Sequence, residues 1–346
     1  MAWSKPQYSR TRVDKAGDEI TRSEDFMQYV NALGVVNNWR ASHQYPLNTF
    51  QMTLRRKAQK IDKLSIVAQR IKRFESIHRK LESGTMKLTQ MQDIGGCRAI
   101  MSDCEGVYRL KNLYEKAGFD HVMIGEKDYI LSPKDDGYRS LHLIYRYIGT
   151  PMNSHYSGLK IEIQIRSQLQ HAWATAVEAV GTFTKQALKW RGGNADWQRF
   201  FLLMSGAIAE REGAPLPPGI PASMYQLSDE VRLLSSKLHV SNALKAYNIT
   251  ISYLGQLEER KARLLLVRMQ PDEERVEIRG FRVTESQIAN MEYDKLEKAI
   301  SEENSADQAV LVRVDSVKAL PRAYPNLFLD TQYFSNLVDE VCQEGL

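Results

Sequence analysis

Apolar and polar positions follow two different periods along this chain. From residue 20 to residue 61, apolar side chains such as Phe26, Val30 and Leu33 recur every three or four positions, which is the period of an amphipathic helix. The Tyr45-Pro46 pair interrupts this stretch, because the residue before a proline disfavours helical backbone. The N-terminal part of the chain is therefore predicted to be helical, with one break.

Segments with a period of two follow, and this alternation is typical of strands. The predicted strands are 65–72, 97–101, 141–147 and 159–166, and the predicted helices between and after them are 75–82, 105–117 and 168–188. Mixed strands with helices packed on them predict an α+β domain that ends near Glu212.

Four prolines in nine residues mark the segment from Gly213 to Pro221. Proline lacks the backbone N–H that a helix or strand needs. We therefore predict a linker at 213–221, between a domain of residues 1–212 and a smaller α+β domain of residues 222–346 for which regulation is a hypothesis. Its predicted elements are a helix at 227–247, strands at 249–254, 262–269, 273–281 and 309–314, a helix ending at Ile300, and a last helix capped by Asp330.

Composition narrows the class of protein. The 346 residues are 43% hydrophobic and 26% charged, which suits one or two globular domains. The N-terminus lacks the apolar core of a signal peptide, and the longest nearly uncharged stretch, 200–209, is shorter than the roughly 20 residues that cross a bilayer. Cys97, Cys104 and Cys342 form no CxxC pair, which argues against a disulfide framework and an ordinary zinc site. We expect a soluble protein of the reducing cytoplasm.

The formal net charge of +5 is small, so charge is informative only where basic residues cluster. Such clusters suit a polyanion, although a solvated helix face is the commoner explanation. The two clusters are Arg55, Arg56, Lys57, Lys60 and Lys63, and Lys185, Lys189 and Arg191.

Two carboxylates lie in informative places. The alternation of 159–166 puts three isoleucines on one face of a strand and Glu162, Gln164 and Arg166 on the other; a sheet with one solvated face explains this equally well. Asp93 precedes two glycines and an apolar strand, where an Asp often caps a turn. Together, Asp93 and Glu162 can supply oxygen ligands for Mg²⁺ and accept the proton of an attacking hydroxyl, as phosphoryl-type transfer needs.

A basic segment precedes Asp93. Arg70 and Lys72 share a face of a predicted strand, and Ser76 and Lys80 lie one turn apart on the following helix. Donors near a helix N-terminus suit a triphosphate, although charged helix faces are common.

A glycine turn within 136–142 presents Tyr138 just before a strand. A tyrosine in this place can stack on a purine. Tyrosines at strand starts are more often half-buried core residues, so this motif alone is weak.

In this order and at these separations, the four segments resemble the synthetase domain of the RelA/SpoT family of alarmone synthetases, over residues 64–178. The counterparts of the family's motifs are Arg70, Lys72, Ser76 and Lys80; Asp93, Gly96 and Arg98; 137–142; and Glu162, Gln164, Arg166 and 171–174. The resemblance implies a nucleotidyltransferase-like fold, in which helices flank a mixed sheet. It also implies transfer of the β,γ-pyrophosphate of ATP to a ribose 3′-hydroxyl, with release of AMP.

The resemblance assigns roles to single residues. It implies that Asp93 binds Mg²⁺, that Glu162 is the general base or a second metal ligand, and that Tyr138 stacks on the purine of the acceptor. The residues that it implies for ATP binding are Arg70, Lys72, Ser76, Lys80 and Arg98, and those for acceptor binding, besides Tyr138, are Arg139, His142, Gln164, Arg166 and His171.

One departure from the long members of this family concerns a hydrolase of the HD type, which they carry before the synthetase. No His-Asp dipeptide occurs in the sequence, and residues 1–63 leave no room for such a domain. We therefore expect a protein that makes the product and does not hydrolyse it.

The acceptor is left open. Segments 8–17 and 38–50 more loosely resemble a leader of single-synthetase members, including toxic ones that modify the 3′ end of tRNA. GDP or GTP, an adenine nucleotide and tRNA are thus alternative acceptors, and in a toxic member the C-terminal domain serves as a built-in inhibitor or sensor. The remaining hypothesis is a non-catalytic nucleotide-binding regulator, against which the presence of both Asp93 and Glu162 argues.

Overall fold

The structure is a computed structural model in which three helices precede the first strand. It describes residues 3–116, 119–183, 195–221, 223–238, 240, 244, 264–270, 275–303, 305, 307–313 and 332–344. The helices are α1 (Arg10–Arg22), α2 (Phe26–Ser42), α3 (Gln44–Ile61), α4 (Phe74–Glu82), α5 (Cys104–Lys116), α6 (Gln168–Phe183), α7 (Ala195–Arg211), α8 (Met224–Lys237), α9 (Ser286–Glu302) and α10 (Gln332–Glu344). The strands are β1 (Ile66–Ile71), β2 (Gly95–Met101), β3 (Val122–Asp128), β4 (Leu141–Arg146), β5 (Lys160–Ser167), β6 (Leu264–Gln270), β7 (Arg275–Phe281) and β8 (Gln308–Arg313). Within these ranges no helix is long and apolar enough to cross a membrane.

The eight described strands form one mixed sheet in the order β3-β4-β5-β2-β1-β8-β6-β7. β2 and β5 are parallel, and the other described pairs are antiparallel. Among the described residues, the pairing of Gln69 with Arg313 joins the three C-terminal strands to the first five. The predicted α+β fold with a mixed sheet and flanking helices is confirmed.

The N-terminal helices differ from the predicted ones. α1 was not predicted, although Val13, Ala16 and Ile20 are buried at helical spacing. The break between α2 and α3 lies at His43 and not at Tyr45-Pro46. A proline is tolerated in the first turn of a helix, where its missing N–H has no partner to lose, so Pro46 lies inside α3.

Most other predicted elements are present with their ends shifted by a few residues. The helix predicted at 227–247 corresponds to α8, which ends at Lys237, and most of 239–247 lies outside the described residues. α7 was not predicted, and neither was β3. Most of its side chains are exposed or half-buried at the edge of the sheet, so they do not alternate clearly. The predicted features that lie outside the described residues are the strand 249–254, the Asp330 cap and the basic cluster of Lys185, Lys189 and Arg191.

The apolar face of β5 lies in a core beneath the N-terminal helices. Ile161, Ile163 and Ile165 are fully buried, in one cluster with Leu47 and Phe50 of α3. Burying a side chain of this size stabilises the fold by about 1.5–3 kcal/mol. Because side chains alternate along a strand, this packing directs the polar side chains of β5 to the opposite face.

A second apolar core contains residues from both sides of the 213–221 segment. Trp173 and Phe201, from α6 and α7, share it with Val231 of α8 and Phe334 of α10. The rings of Phe201 and Phe334 are stacked with their centroids 5.7 Å apart. The two predicted domains therefore pack on each other. Their separate folding stays an untested prediction, and this shared core argues against it.

We expect a fragment of residues 1–212 to aggregate or to unfold at a lower temperature than the full chain. Its buried aromatic side chains, Phe200 and Phe201 among them, would lose the cover that Phe334 provides, and exposed apolar patches promote association. Light scattering and thermal unfolding monitored by circular dichroism test this. A monodisperse fragment that unfolds cooperatively near the temperature of the full chain would instead support two separately folding domains.

His43 is a buried, neutral histidine at the junction of α2 and α3. The residue is only 1% exposed, and its Nδ1–H donates to the carbonyl oxygen of Trp39 at 2.8 Å. Burial disfavours the charged ring and lowers the pKa of His43 to about 4. The native fold therefore keeps this ring uncharged in mildly acidic solution.

This histidine is expected to make the protein acid-sensitive. Above its ordinary pKa of about 6.5 the ring is neutral in both states and has no effect; below it, only the unfolded chain takes up the proton. The free energy of unfolding should therefore fall by up to roughly 3 kcal/mol as the pH drops from about 6.5 to about 4. Urea titrations of the wild type and of a His43→Asn variant, each at neutral and at acidic pH, measure the contribution of His43 to this fall. If the free energy of unfolding falls equally in both proteins, the prediction is wrong.

Candidate active site

Three adjacent strands form the floor of a polar site on the face opposite the isoleucines. In the register of the sheet, Arg70 of β1 is paired with Gly96 of β2, and Gly96 is paired with Glu162 of β5. A Cβ atom at Gly96 would have no neighbour closer than 3.9 Å, so the glycine leaves space between the two charged side chains. Two residues further along the same strands, Arg98 of β2 is paired with Gln164 of β5.

Asp93 lies where the chain enters β2, and two lysines bind it. Lys72 Nζ donates to Asp93 Oδ2 at 2.6 Å, and Lys80 Nζ lies 3.3 Å from Oδ1. Burial opposes ionisation of this carboxyl, but the two ammonium groups outweigh it and lower the pKa of Asp93 to about 2. Asp93 is therefore a carboxylate at physiological pH.

Lys80 reaches Asp93 because α4 packs on the core through its apolar face, which leaves its polar face beside the site. Ile77 and Leu81 are the buried residues of this helix, and Ser76 and Lys80, one turn apart, are half-buried. The basic segment predicted from the sequence thus meets the predicted metal-binding carboxylate. The sequence did not predict the ion pairs between them.

Both carboxylate oxygens of Glu162 accept hydrogen bonds. His142 Nδ1–H donates to Oε1 at 3.0 Å, and Gln164 Nε2 donates to Oε2 at 2.7 Å. Burial alone raises the pKa of Glu162, but the bond from His142 outweighs it, so the pKa lies below its ordinary value. Glu162 is thus ionised and its orientation is fixed.

A chain of hydrogen bonds continues from His142 to Tyr138 and Arg166. The hydroxyl of Tyr138 lies 2.8 Å from His142 Nε2 and accepts from Arg166 Nη2 at 2.7 Å. Burial raises the pKa of this phenol, but the charges of Arg166 and His142 lower it to about 7. Arg166 Nε is buried without a hydrogen-bond partner among the described residues.

Tyr138 also forms part of the wall of a large cleft. The cleft has a volume of about 910 Å³, and Lys134, Tyr138, Trp173, Gln198 and Phe201 are among its lining residues. Lys134 Nζ lies 4.9 Å from the centre of the Tyr138 ring. The combination of aromatic walls with a few polar groups is typical of small-molecule sites; the sequence did not predict Lys134, Trp173 or Gln198 as part of it.

Arg139, predicted to bind the acceptor, is not brought to this site, whereas the role of His171 in acceptor binding stays a prediction. Arg139 is 2% exposed, and its guanidinium donates to the carbonyl oxygens of Ile130 and Pro215 and to Ser205 Oγ. Side chains alternate in extended backbone, so Arg139 turns inward where Tyr138 turns outward. His171 is buried in the first turns of α6.

The donors present suit Mg²⁺. Asp93 and Glu162 line one small polar pocket with Arg70 and Arg98, and Mg²⁺ usually takes one or two carboxylates and completes its shell with phosphate oxygens and water. The part of the chain that the structure describes has no group of three or more His, Cys, Asp or Glu side chains that could hold a metal alone. A Mg²⁺ ion held by these two carboxylates would take its remaining ligands from phosphate oxygens and water.

Comparison with known proteins finds similarity to one family over this part of the chain. Residues 69–187 match the family model described as the region found in RelA / SpoT proteins. The GTP pyrophosphokinase YwaC of Bacillus subtilis (strain 168) is 39% identical over 114 residues, which are 31% of this chain and 52% of YwaC. The GTP pyrophosphokinase YjbM of the same organism is 33% identical over 118 residues, 32% of this chain and 54% of YjbM. The chain thus spans about half the length of these curated relatives.

Solved structures overlap with about half of the chain. The small alarmone synthetase 1 from Bacillus subtilis, in a crystal structure bound to its product pppGpp, is 22% identical with a TM-score of 0.44, over 51% of this chain and 92% of that chain. The small alarmone synthetase 2 from the same organism is 24% identical with a TM-score of 0.44, over 51% of this chain and 94% of that chain. Both overlaps are partial.

Proposed function

We propose, from the premise that residues 69–187 of this chain are a RelA/SpoT region, that the chain is an ATP-dependent pyrophosphokinase of the cytoplasm. It transfers the β,γ-pyrophosphate of ATP to the ribose 3′-hydroxyl of GDP or GTP. The observation that carries this proposal is the presence of Asp93 and Glu162 in one small polar pocket with Arg70 and Arg98.

Glu162 is suited to accept a proton in this reaction. The 3′ oxygen of the acceptor attacks the β-phosphorus of ATP, the bond from that phosphorus to the bridging oxygen of the α-phosphate breaks, and AMP leaves. The hydroxyl proton passes to Glu162, which is ionised and held in place by His142 and Gln164. An oriented carboxylate contributes roughly 10²–10⁴-fold to such a step.

Basic side chains offset the charge of the triphosphate. Lys72 and Lys80 lie at Asp93, so phosphates bound there meet two ammonium groups, and Arg70, Ser76 and Arg98 add further donors. Stabilisation of charge by fixed donors usually contributes most to catalysis of phosphoryl-type transfer. Asp93 and Glu162 are the residues that would hold Mg²⁺, which when bound neutralises phosphate charge and polarises the phosphoryl group.

The cleft beside Tyr138 is the proposed site of the acceptor base. Its volume of about 910 Å³ lies within the range of nucleotide-sized ligands. The ring of Tyr138 can stack on a purine, and Arg166 holds the hydroxyl of this tyrosine in place. Tyr138 and Arg166 thereby link the acceptor to Glu162 through His142.

The proposal is tested with the purified full chain, Mg²⁺ and γ-labelled ATP. GDP, GTP, AMP and deacylated tRNA are supplied in separate reactions, and the products are separated by chromatography. We expect the label on GDP or GTP, with AMP formed in equal amount. Label on AMP or on tRNA would change the acceptor, whereas absence of transfer to all four would refute the function.

A further inference from the structure

A buried polar cluster joins α9, in the C-terminal part of the chain, to α2, in the N-terminal part. Arg40 of α2 is 4% exposed. Its Nη1 donates to Glu297 Oε2 at 3.0 Å, and its Nη2 donates to the hydroxyl of Tyr293 at 2.6 Å. That hydroxyl donates in turn to Glu297 Oε1 at 2.5 Å. Arg40, Tyr293 and Glu297 are called the buried triad below.

The buried triad holds the turn between β1 and α4. Arg40 Nε donates to the carbonyl oxygen of Lys72 at 3.2 Å, and the backbone N–H of Phe74 donates to Glu297 Oε1 at 3.2 Å. On its other side, the backbone N–H of Lys72 donates to the carbonyl oxygen of Ile94, the neighbour of Asp93, at 2.8 Å. The main chain of Lys72 is therefore fixed from both sides.

Glu297 performs at α4 what a local N-cap residue usually does. The first N–H groups of a helix have no partner within it, and a nearby Ser, Thr, Asp or Asn commonly accepts from one of them. Arg73 occupies the N-cap position of α4 and makes no side-chain cap hydrogen bond. A carboxylate from α9 accepts there instead, and it also meets the positive end of the helix dipole.

The turn carries the proposed phosphate site. Lys72 precedes it and binds Asp93 through its ammonium group, and α4, which starts at Phe74, carries Ser76 and Lys80. Donors that shift away from the phosphates bind them less tightly already in the ground state, and such a loss raises KM more than it lowers kcat. Firm anchoring of the turn is therefore needed if these side chains are to meet the phosphates of ATP.

We propose that Arg40, Tyr293 and Glu297 are positioning residues for the ATP phosphates, so that α9 completes the catalytic unit. The proposal rests on the proposed function for the identity of the ligand. It gives the C-terminal segment an active role: α9 supports ATP binding, and its contact does not restrain the enzyme.

Kinetics of full-chain variants test the buried triad. Glu297→Gln keeps the size of the side chain and removes its charge, and Tyr293→Phe removes one hydroxyl. We expect each to raise the KM for ATP about tenfold while kcat changes less than about threefold, because ground-state anchoring of the phosphates is weakened. The matched control is Glu292→Gln on the same helix, where the carboxylate binds Arg279 at 2.6 Å and not the turn; its kinetics should equal those of the wild type.

An unchanged or lowered KM for ATP in both triad variants would overturn the proposal, as would increased turnover, which would make α9 an inhibitory element. Calorimetric titration with a non-hydrolysable ATP analogue gives a readout that does not need turnover. If the wild type transfers no pyrophosphate, the proposed function is wrong. Weaker binding of the analogue by Glu297→Gln than by the wild type would still support the positioning role of the buried triad, whereas equal binding would refute that role. Should Glu297→Gln not fold, as judged by circular dichroism, Tyr293→Phe decides.

Discussion

Replacing Asp93 by Asn, or Glu162 by Gln, is expected to lower the rate of pyrophosphate transfer by about a hundredfold or more. Each change keeps the shape of the side chain and removes its negative charge. Asp93→Asn would leave Lys72 and Lys80 without the carboxylate that they bind and would weaken the metal site. Glu162→Gln would leave an amide that cannot accept a proton from the attacking hydroxyl.

Neither change should disturb the fold, because neither side chain lies on the apolar face of the sheet. Thermal unfolding checks this. A matched control is Glu126→Gln, on the edge strand β3, where the carboxylate binds Lys111 at 2.7 Å and lies outside the pocket; its turnover should be that of the wild type. Near-normal turnover of both Asp93→Asn and Glu162→Gln would mean that the active site is elsewhere.

Tyr138→Ala is expected to raise the KM of the acceptor by about tenfold to a hundredfold, with the KM for ATP nearly unchanged. A lost stacking contact is worth roughly 1–3 kcal/mol, and the basic segment proposed for the triphosphate is separate from the Tyr138 loop. If stacking were the only role of Tyr138, Tyr138→Phe would have a mild effect on the kinetics. The hydrogen bonds of the hydroxyl to Arg166 and His142 change that expectation.

Tyr138→Phe should lower kcat by roughly tenfold, because it removes the hydroxyl that accepts from buried Arg166 and that supports His142, which orients Glu162. A matched control is Tyr129→Phe, whose ring centre lies 5.8 Å from that of Tyr138. Steady-state kinetics with each substrate varied in turn separate the two effects. Equal damage to both KM values by Tyr138→Ala would contradict this division of the site, and a fully active Tyr138→Phe would leave stacking as the only role of the residue.

Local patterns in the sequence were enough to predict the strands and the helix α4 that form the polar pocket, but not α7, which lines the cleft beside Tyr138. The alternation along β5 predicted that Glu162, Gln164 and Arg166 share a face, since side chains of successive strand residues point in opposite directions. The helical spacing of α4 predicted that Ser76 and Lys80 lie one turn apart. The same logic, applied to Val13, Ala16 and Ile20, would have predicted α1.

The neighbours of each element were decided by the tertiary structure. Parallel pairing of β2 with β5 brings Asp93 and Glu162 to one pocket, and the packing of α7 against the Tyr138 loop gives the inward-directed Arg139 its partner Ser205. Apolar periodicity indicates which face of an element is buried but not which element packs on it. The prediction that these residues meet in one site therefore rested on the order and spacing of the motifs.

The buried triad shows most clearly which contacts sequence patterns cannot predict. Arg40 and Glu297 are 257 residues apart in sequence and 3.0 Å apart in the fold, and no periodicity or motif connects them. A charged residue on a helix is expected to be solvent-exposed, because charged residues are rarely buried without a partner. The partner of Arg40 is recognised only once α9 lies beside α2. The sequence alone therefore determined which residues carry the proposed chemistry, whereas the tertiary structure decided which residues hold them in place, since long-range contacts leave no local pattern.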